Sequence, residues 1–251
     1  MNREATGLAG VRHIVYETIG STNAEALALA RAGERGPLWL TATSQSAGRG
    51  RRGSEWISPP GNLYTTLLLS EPSTPAQAPQ LSFVAALAVH DAIAACAPDL
   101  GPLLKLKWPN DLLVEKAKVG GILIEGEGAP VFAVAVGIGV NCAAHPNMTD
   151  YPATDLAAAG ALVVPDALFV ALSAAMKRRL AQWSRGQGFA QIRADWLSRA
   201  AGRGEILRVR LPERDLSGRF DGVDESGRLL LDQGGKATIV TAGEVFGFGE
   251  R

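Results

Sequence analysis

Only two cysteines occur in 251 residues, Cys96 and Cys142, and they form no C-x-x-C pair that could hold a metal or a redox disulfide. Both read as reduced, buried thiols. The three histidines, His13, His90 and His145, are scattered without metal-ligand spacing, so a protein-built zinc site is not expected. Charge of one sign is also missing. Lys+Arg and Asp+Glu both number 25, for a net charge of zero, which argues against a protein built chiefly to coat nucleic acid. Glycine, proline or charge interrupts every apolar stretch, so no bilayer span is expected. The opening MNREATGLAGVRH lacks the apolar block of a signal peptide, which points to the cytoplasm. No G-x-S-x-G elbow, Ser-His-Asp pattern or Walker A loop is present, so covalent nucleophilic catalysis is disfavoured.

What is present is a core: 47% hydrophobic residues against 20% charged ones. VRHIVYE (11–17) alternates as a strand, with about ten residues ahead of it. Ser21-Thr22-Asn23 then opens a short helix that stops at Gly33. Strands follow at 37–45 and 62–70, and a buried helix at 78–97 with Leu81, Val84, Leu87, Ala88 and Ile93 along one side. LLKLKW, DLLVEK, KVGGILIE and PVFAVAVGIGVN read as a strand meander, and 165–185 and about 188–200 as helices. One helix followed by a meander suits α+β better than regular βαβ alternation. At Gly202-Arg203-Gly204 the pattern changes to five short strand-like pieces over 205–247, a small β-barrel or sandwich expected to pack on the main domain. The chain thus divides into 1–201 and 202–251.

The chemistry gathers around Gly48-Arg49-Gly50-Arg51-Arg52-Gly53. These residues satisfy G-x-G-x-x-G, but the fingerprint needs a helix directly after the glycines, and here SEWISPPGNLY continues towards a strand. Taken alone, the loop reads either as a cradle for carboxylate and phosphate oxygens or as a solvated basic hairpin tip. A functional loop of this kind is expected to be mobile when empty and to fold over an anion. Lys107-Trp108-Pro109-Asn110-Asp111 is a stiffened turn, and Lys118 heads a strand opened by Gly120 and Gly121. Gly137-Ile138-Gly139-Val140-Asn141 repeats the theme and ends in an amide. Together these segments suggest one ligand cleft that binds anions, orients them in line and stabilises developing charge.

In chain order, STN (21–23), Q-x-x-GRGRRG-x-x-W (45–56), PPGNLY (59–64), KWPNDLL (107–113), K-V-GGILIE (118–125) and GIGVN (137–141) closely resemble the biotin–protein ligases. The match covers most of 11–141, and AGEVFGF (242–248) resembles the end of that family's SH3-like domain. The resemblance implies a mixed-sheet catalytic domain with flanking helices, class II synthetase-like, followed by a small SH3-like β-barrel. It implies that biotin and ATP, with Mg²⁺, form biotinyl-5′-AMP, and that the acyl group passes to a lysine of a biotin carboxyl carrier domain. It assigns biotin contacts to Ser21, Thr22, Asn23, Gln45, Arg49, Gly50, Arg51, Lys118, Gly120 and Gly121, with Lys118, Arg51 and Arg49 as catalytic cations. ATP or adenylate contacts fall to Arg51, Trp56, Lys107, Asn110, Asp111, Lys118 and Asn141. Trp56 is expected to stack on adenine and Asn141 to hydrogen-bond it, while Asp111 either orients Mg²⁺ or pins a cationic side chain. Some members carry a helix-turn-helix repressor domain. Residues 12–34 are too short for one, so a monofunctional ligase without DNA or membrane binding is expected. A homodimer through a sheet edge is compatible with the family, but no residue selects it. The rivals are a lipoate or octanoyl transferase and a non-enzymatic regulator binding biotin or nucleic acid.

Overall fold

The computed structural model describes residues 2–5, 10–128, 131–211 and 214–248. Its first hairpin adds an element to the expected ones. β1 (Asn2–Ala5) pairs antiparallel with β2 (Arg12–Ile19), from Asn2↔Tyr16 to Ala5↔His13. NREA has neither alternation nor β-branching, so its strand character comes from the edge it meets. Helix α1 (Thr22–Arg31) then carries the chain to β3 (Leu38–Gln45), parallel to β2, and β4 (Leu63–Ser70) runs antiparallel beside it.

After helix α2 (Leu81–Cys96) the meander appears as expected: β5 (Leu104–Lys107), β6 (Asp111–Val114), β7 (Ala117–Glu127) and β8 (Ala133–Val140). The eight strands form one sheet ordered β1-β2-β3-β4-β8-β7-β6-β5, with β2–β3 its single parallel pair. Helix α1 packs on one face, where Ala26 meets Leu38, Leu40, Leu68 and Ala135 in a small cluster. The larger core lies on the other face, under α2, α3 (Pro165–Trp183) and α4 (Phe189–Leu197).

Helix α2 is apolar nearly all round: beyond the expected side, Phe83, Ala85, Ala86, Val89 and Ala92 are also buried. By length and composition residues 78–96 reach a mean hydropathy of 1.3, enough to cross a membrane, so such a stretch does exist. In this fold it is a core helix, 61% buried.

The second sheet contains β9 (Ile206–Arg210), β10 (Asp215–Val223), β11 (Leu229–Asp232), β12 (Ala237–Val240) and β13 (Glu244–Phe248), all antiparallel, in the order β12-β11-β10-β9-β13. Inward residues alternate along β9, with Leu207 and Val209 buried between exposed Ile206, Arg208 and Arg210. The sheet packs on the main body. Leu106 accepts from Ala201 N–H and donates its own to Arg199 O, so 199–201 extend the β5 edge before the chain enters β9. Buried Trp108 donates from Nε1 to Gly227 O at 3.0 Å. Gly227, at φ +82°, lies against Phe83 so closely that a Cβ there would come within 2.6 Å of the ring. Phe83 in turn sits edge-on to Trp196 and Phe189.

Candidate functional site

The end of the main sheet carrying β4, β7 and β8 opens into a cavity of about 400 Å³, within the range of small-molecule sites. The start of α1, the Gly-Arg segment, the β5–β6 turn, β7, β8, Tyr151 and Gly243–Val245 all line it.

Ser21 is the N-cap of α1: it is extended (φ −157°, ψ 131°) and its hydroxyl accepts from Ala24 N–H. The cap turns Thr22 and Asn23 into the cavity, both 4% exposed. Neither is idle. Thr22 donates from backbone and hydroxyl to Gln45 Oε1, at 2.9 and 3.1 Å. Asn23 donates to Leu123 O and Glu125 Oε2, and accepts from Thr66 at 2.6 Å. Gly137 makes room for it, since a Cβ there would lie 2.3 Å from Asn23 Oδ1.

Over the cavity, Gly48–Trp56 folds as a tight lid held by Gly50 N–H to Ser54 O and Trp56 N–H to Gly48 O. Arg52 adopts φ 55° and is exposed, while Arg51 is more buried and reaches Asn110 Oδ1 at 3.4 Å and Gly243 O at 3.3 Å. Burial and Arg52 pull the Arg51 guanidinium below the usual arginine value, while Asp111 and Glu244 oppose them. Among the described residues Arg51 forms no ion pair. Arg49 does, with both oxygens of Glu125 at 3.2 Å. Trp56 lies on the glycine floor of β7 and β8: a Cβ at Gly139 would be 2.6 Å from its Nε1. That Nε1 is buried and finds no hydrogen-bond partner among the described residues, an arrangement rare enough to need a reason.

Lys118 Nζ is 2.7 Å from Asp111 Oδ1 and faces the rings of Trp56 and Tyr151 at 5.4 and 5.1 Å. Lys107 Nζ is 3.8 Å from the other Asp111 oxygen. Burial lowers the Lys107 ammonium below its ordinary value, Asp111 opposes, and Lys118 lowers it further. Asp111 is therefore the counter-ion of two lysines, the pinning role of its two expected ones. Among the described residues no three His, Cys, Asp or Glu cluster.

Of the residues expected from sequence, Ser21, Thr22, Asn23, Gln45, Arg49, Gly50, Arg51, Trp56, Lys107, Asn110, Asp111, Lys118 and Gly121 line this cavity. Gly120 and Asn141 do not. Pairing slips between Leu112↔Gly120 and Leu113↔Lys118, a β-bulge that sets Lys118 and Gly121 on the cavity side. Gly120 faces Leu112 and Val140 in the core instead. Asn141 is 4% exposed and donates to Thr154 O, tying the segment that bears Tyr151 to the sheet end. Sequence reasoning did not single out Tyr151, Glu125, Thr66, Ser58 or Glu244. Glu125 alone left a signal, as an acid closing the apolar run GGILIE.

The Biotin/lipoate A/B protein ligase family model matches residues 17–141, and the Biotin protein ligase C terminal domain model matches 204–246. A biotin–[acetyl-CoA-carboxylase] ligase of Paracoccus denitrificans is 45% identical over 90% of this chain and 96% of its own length. One of Mycobacterium tuberculosis is 36% identical over 92% and 87%. Among solved structures, the biotin protein ligase of Aquifex aeolicus in complex with biotin and ATP superposes with a TM-score of 0.77 at 26% identity, covering 93% of this chain and 97% of that one. The Leishmania major enzyme with biotinyl-5-AMP gives 0.64 at 25%, covering 91% and 98%.

Proposed function

Since the chain belongs to the biotin–protein ligase family, we propose that its cavity forms biotinyl-5′-AMP from biotin and ATP and passes the biotinyl group to a lysine of a carrier domain. The observation that carries this reading is the convergence of Arg49, Arg51, Lys107 and Lys118 on one cavity whose far end is lined by small polar groups of α1. In the first step a biotin carboxylate oxygen attacks the α-phosphorus and pyrophosphate leaves. Two anions must meet, and Lys118 and Arg51 hold them together by charge and position. Asp111 keeps Lys107 and Lys118 side by side despite their repulsion. Ser21, Thr22, Asn23 and Gln45 supply donors and acceptors for the ureido ring, whose buried polar atoms would otherwise cost about 1–3 kcal/mol each.

Gly121, Gly137 and Gly139 let Trp56 and Asn23 lie close against the sheet, and Ile122 and Ile138 add apolar surface for the fused ring and acyl chain. Trp56 offers its face to adenine. In the second step the carrier amine attacks the acyl carbon, AMP leaves and one proton is released. Mg²⁺ arrives with ATP, as part of the substrate. Residues 202–251 act as a separate small domain that completes the cavity through Gly243–Val245. On this reading the reaction runs in the cytoplasm, where ATP is at hand.

The test is incubation with ATP, Mg²⁺, biotin and a biotin carboxyl carrier domain. The carrier is expected to gain the mass of one biotinyl group, and an unchanged mass would sink the proposal. Replacing biotin by lipoate, and comparing the two in a thermal shift, separates this activity from lipoyl or octanoyl transfer.

A further inference from the structure

Two chains of hydrogen bonds leave the fully buried hydroxyl of Thr66 and end on the lid. The first runs through Thr22, whose Oγ1 is 2.8 Å from Thr66 Oγ1. Thr22 spends its own proton on Gln45 Oε1, which also accepts from Thr22 N–H. With Oε1 so committed, the Gln45 amide has one orientation, and Nε2 donates to Ser58 Oγ at 3.0 Å. Ser58 completes the line by donating to Trp56 O at 2.7 Å. Gly48 closes around this point: a Cβ there would lie 2.4 Å from Trp56 O and 2.6 Å from Ser58 Oγ.

The second chain runs through Asn23. Its Oδ1 accepts from Thr66, so Nδ2 must donate, and it does so to Glu125 Oε2 at 2.9 Å. Glu125, held from below, binds Arg49 from above. Two lid residues, Arg49 and Trp56, are thus fixed by two lines that meet at one hydroxyl beneath the helix start. The single Thr66 proton is shared between Thr22 Oγ1 and Asn23 Oδ1, and with both amide oxygens committed as acceptors, Gln45 and Asn23 pass each line on through nitrogen. A ligand group that displaces one of these bonds of Thr22, Asn23 or Gln45 therefore alters a link that ends on the lid.

Resting on the ligase reading, we infer that Ser58 and Glu125 are positioning residues that couple lid closure to occupancy of the Ser21–Asn23 end of the cavity by a cyclic urea. Neither needs to touch the reacting atoms. Ser58 acts through the Gln45 amide and the Trp56 carbonyl, and Glu125 through Asn23 and Arg49.

The wiring is tested first on ligand-free protein, by timing trypsin cleavage of the lid after Arg52. Thr66→Val keeps shape and loses the shared proton at a site remote from the lid surface. It is expected to speed lid cleavage by about tenfold, the equivalent of one lost hydrogen bond. Ser58→Ala and Glu125→Gln should do the same, and Ser58→Thr should restore the wild-type rate. Arg31→Ala removes the neighbouring Arg31–Glu127 ion pair and should leave the lid unchanged, as a control for loss of a salt bridge on β7. With substrates present, Ser58→Ala and Glu125→Gln are expected to raise the KM for biotin about tenfold with kcat within about twofold, as for loss of uniform binding. Wild-type lid cleavage in Thr66→Val, Ser58→Ala and Glu125→Gln, or equal acceleration in Arg31→Ala, overturns the coupling. Lid cleavage reads the wiring and carrier mass reads the ligase activity, so the two fail separately.

Discussion

Lys118 concentrates the chemistry of the cavity in one side chain, since it meets Asp111, Trp56 and Tyr151 together. In the proposed reaction, Lys118→Ala removes a cation from the point where the carboxylate and the α-phosphate meet. Adenylate formation, followed as pyrophosphate release, is expected to fall by about 10²–10³-fold, the usual loss for one preorganised donor. The thermal midpoint should shift little, because Lys107 stays to compensate Asp111. Undiminished pyrophosphate release from a folded variant would take Lys118 out of the mechanism. His13, far from that chemistry, gives a pH signature. It is 8% exposed, bonded to Thr41 Oγ1 at 2.8 Å and tilted against Phe169. Burial lowers its pKa, with Asp166 opposing. The unfolded chain then binds the extra proton first, so stability is present above the unfolded value of about 6.5 and lost as pH falls from there through the folded one. Thermal midpoints between pH 7 and 5.5 should fall less steeply in His13→Asn than in wild type. Parallel acid limbs would contradict this.

At the scale of elements, the lid and the β7–β8 floor form one contact surface. Gly139→Ala places a methyl 2.6 Å from Trp56 Nε1, closer than the indole can tolerate. The sheet should survive, because an indole on a surface loop is what must yield. Far-ultraviolet dichroism should match wild type, while adenylation drops at least about tenfold through misplacement of the lid; retained activity would show that Trp56 does not need this floor. Much of this arrangement was legible in the sequence. The helix start at Ser21, the strand bearing GIGVN and the lid all sit where capping, periodicity and turn residues placed them. Gly120 was not legible, because strict alternation puts it on the face of Lys118 and only the bulge reverses it. Asn141 looked like a ligand amide because its partner, Thr154 O, arrives from a loop without a motif. Tyr151 escaped for the same reason. β1 escaped because four polar or small residues become a strand only by pairing.

On the scale of the whole molecule, the second sheet is a wall of the cavity as well as an appendage. Phe220, Leu207 and Leu231 belong to the same apolar cluster as Leu87 and Trp196 of the main body. Trp108, Gly227 and Phe83 stitch the two sheets beneath the β5–β6 turn, and Arg51 spans them across the cavity mouth. With the core continuous, the two sheets should unfold together. Scanning calorimetry is expected to show one transition with calorimetric and van't Hoff enthalpies in agreement. Two resolved peaks would mean that the contact is weaker than its burial implies.

The fit of Trp56 against Gly139 has a consequence for redesign and for inheritance alike. Indole and bare backbone fill one volume between them, so neither position can change size alone. A methyl gained at 139 calls for a smaller ring at 56, and Gly139→Ala with Trp56→Phe should recover activity that either change loses. Reversed, and with adenine stacked on Trp56 as proposed, a smaller residue at 56 over the native glycine would open room for an adenine bearing an extra substituent. The enzyme then becomes a template for pairing one altered nucleotide with one altered ligase, orthogonal to the parent.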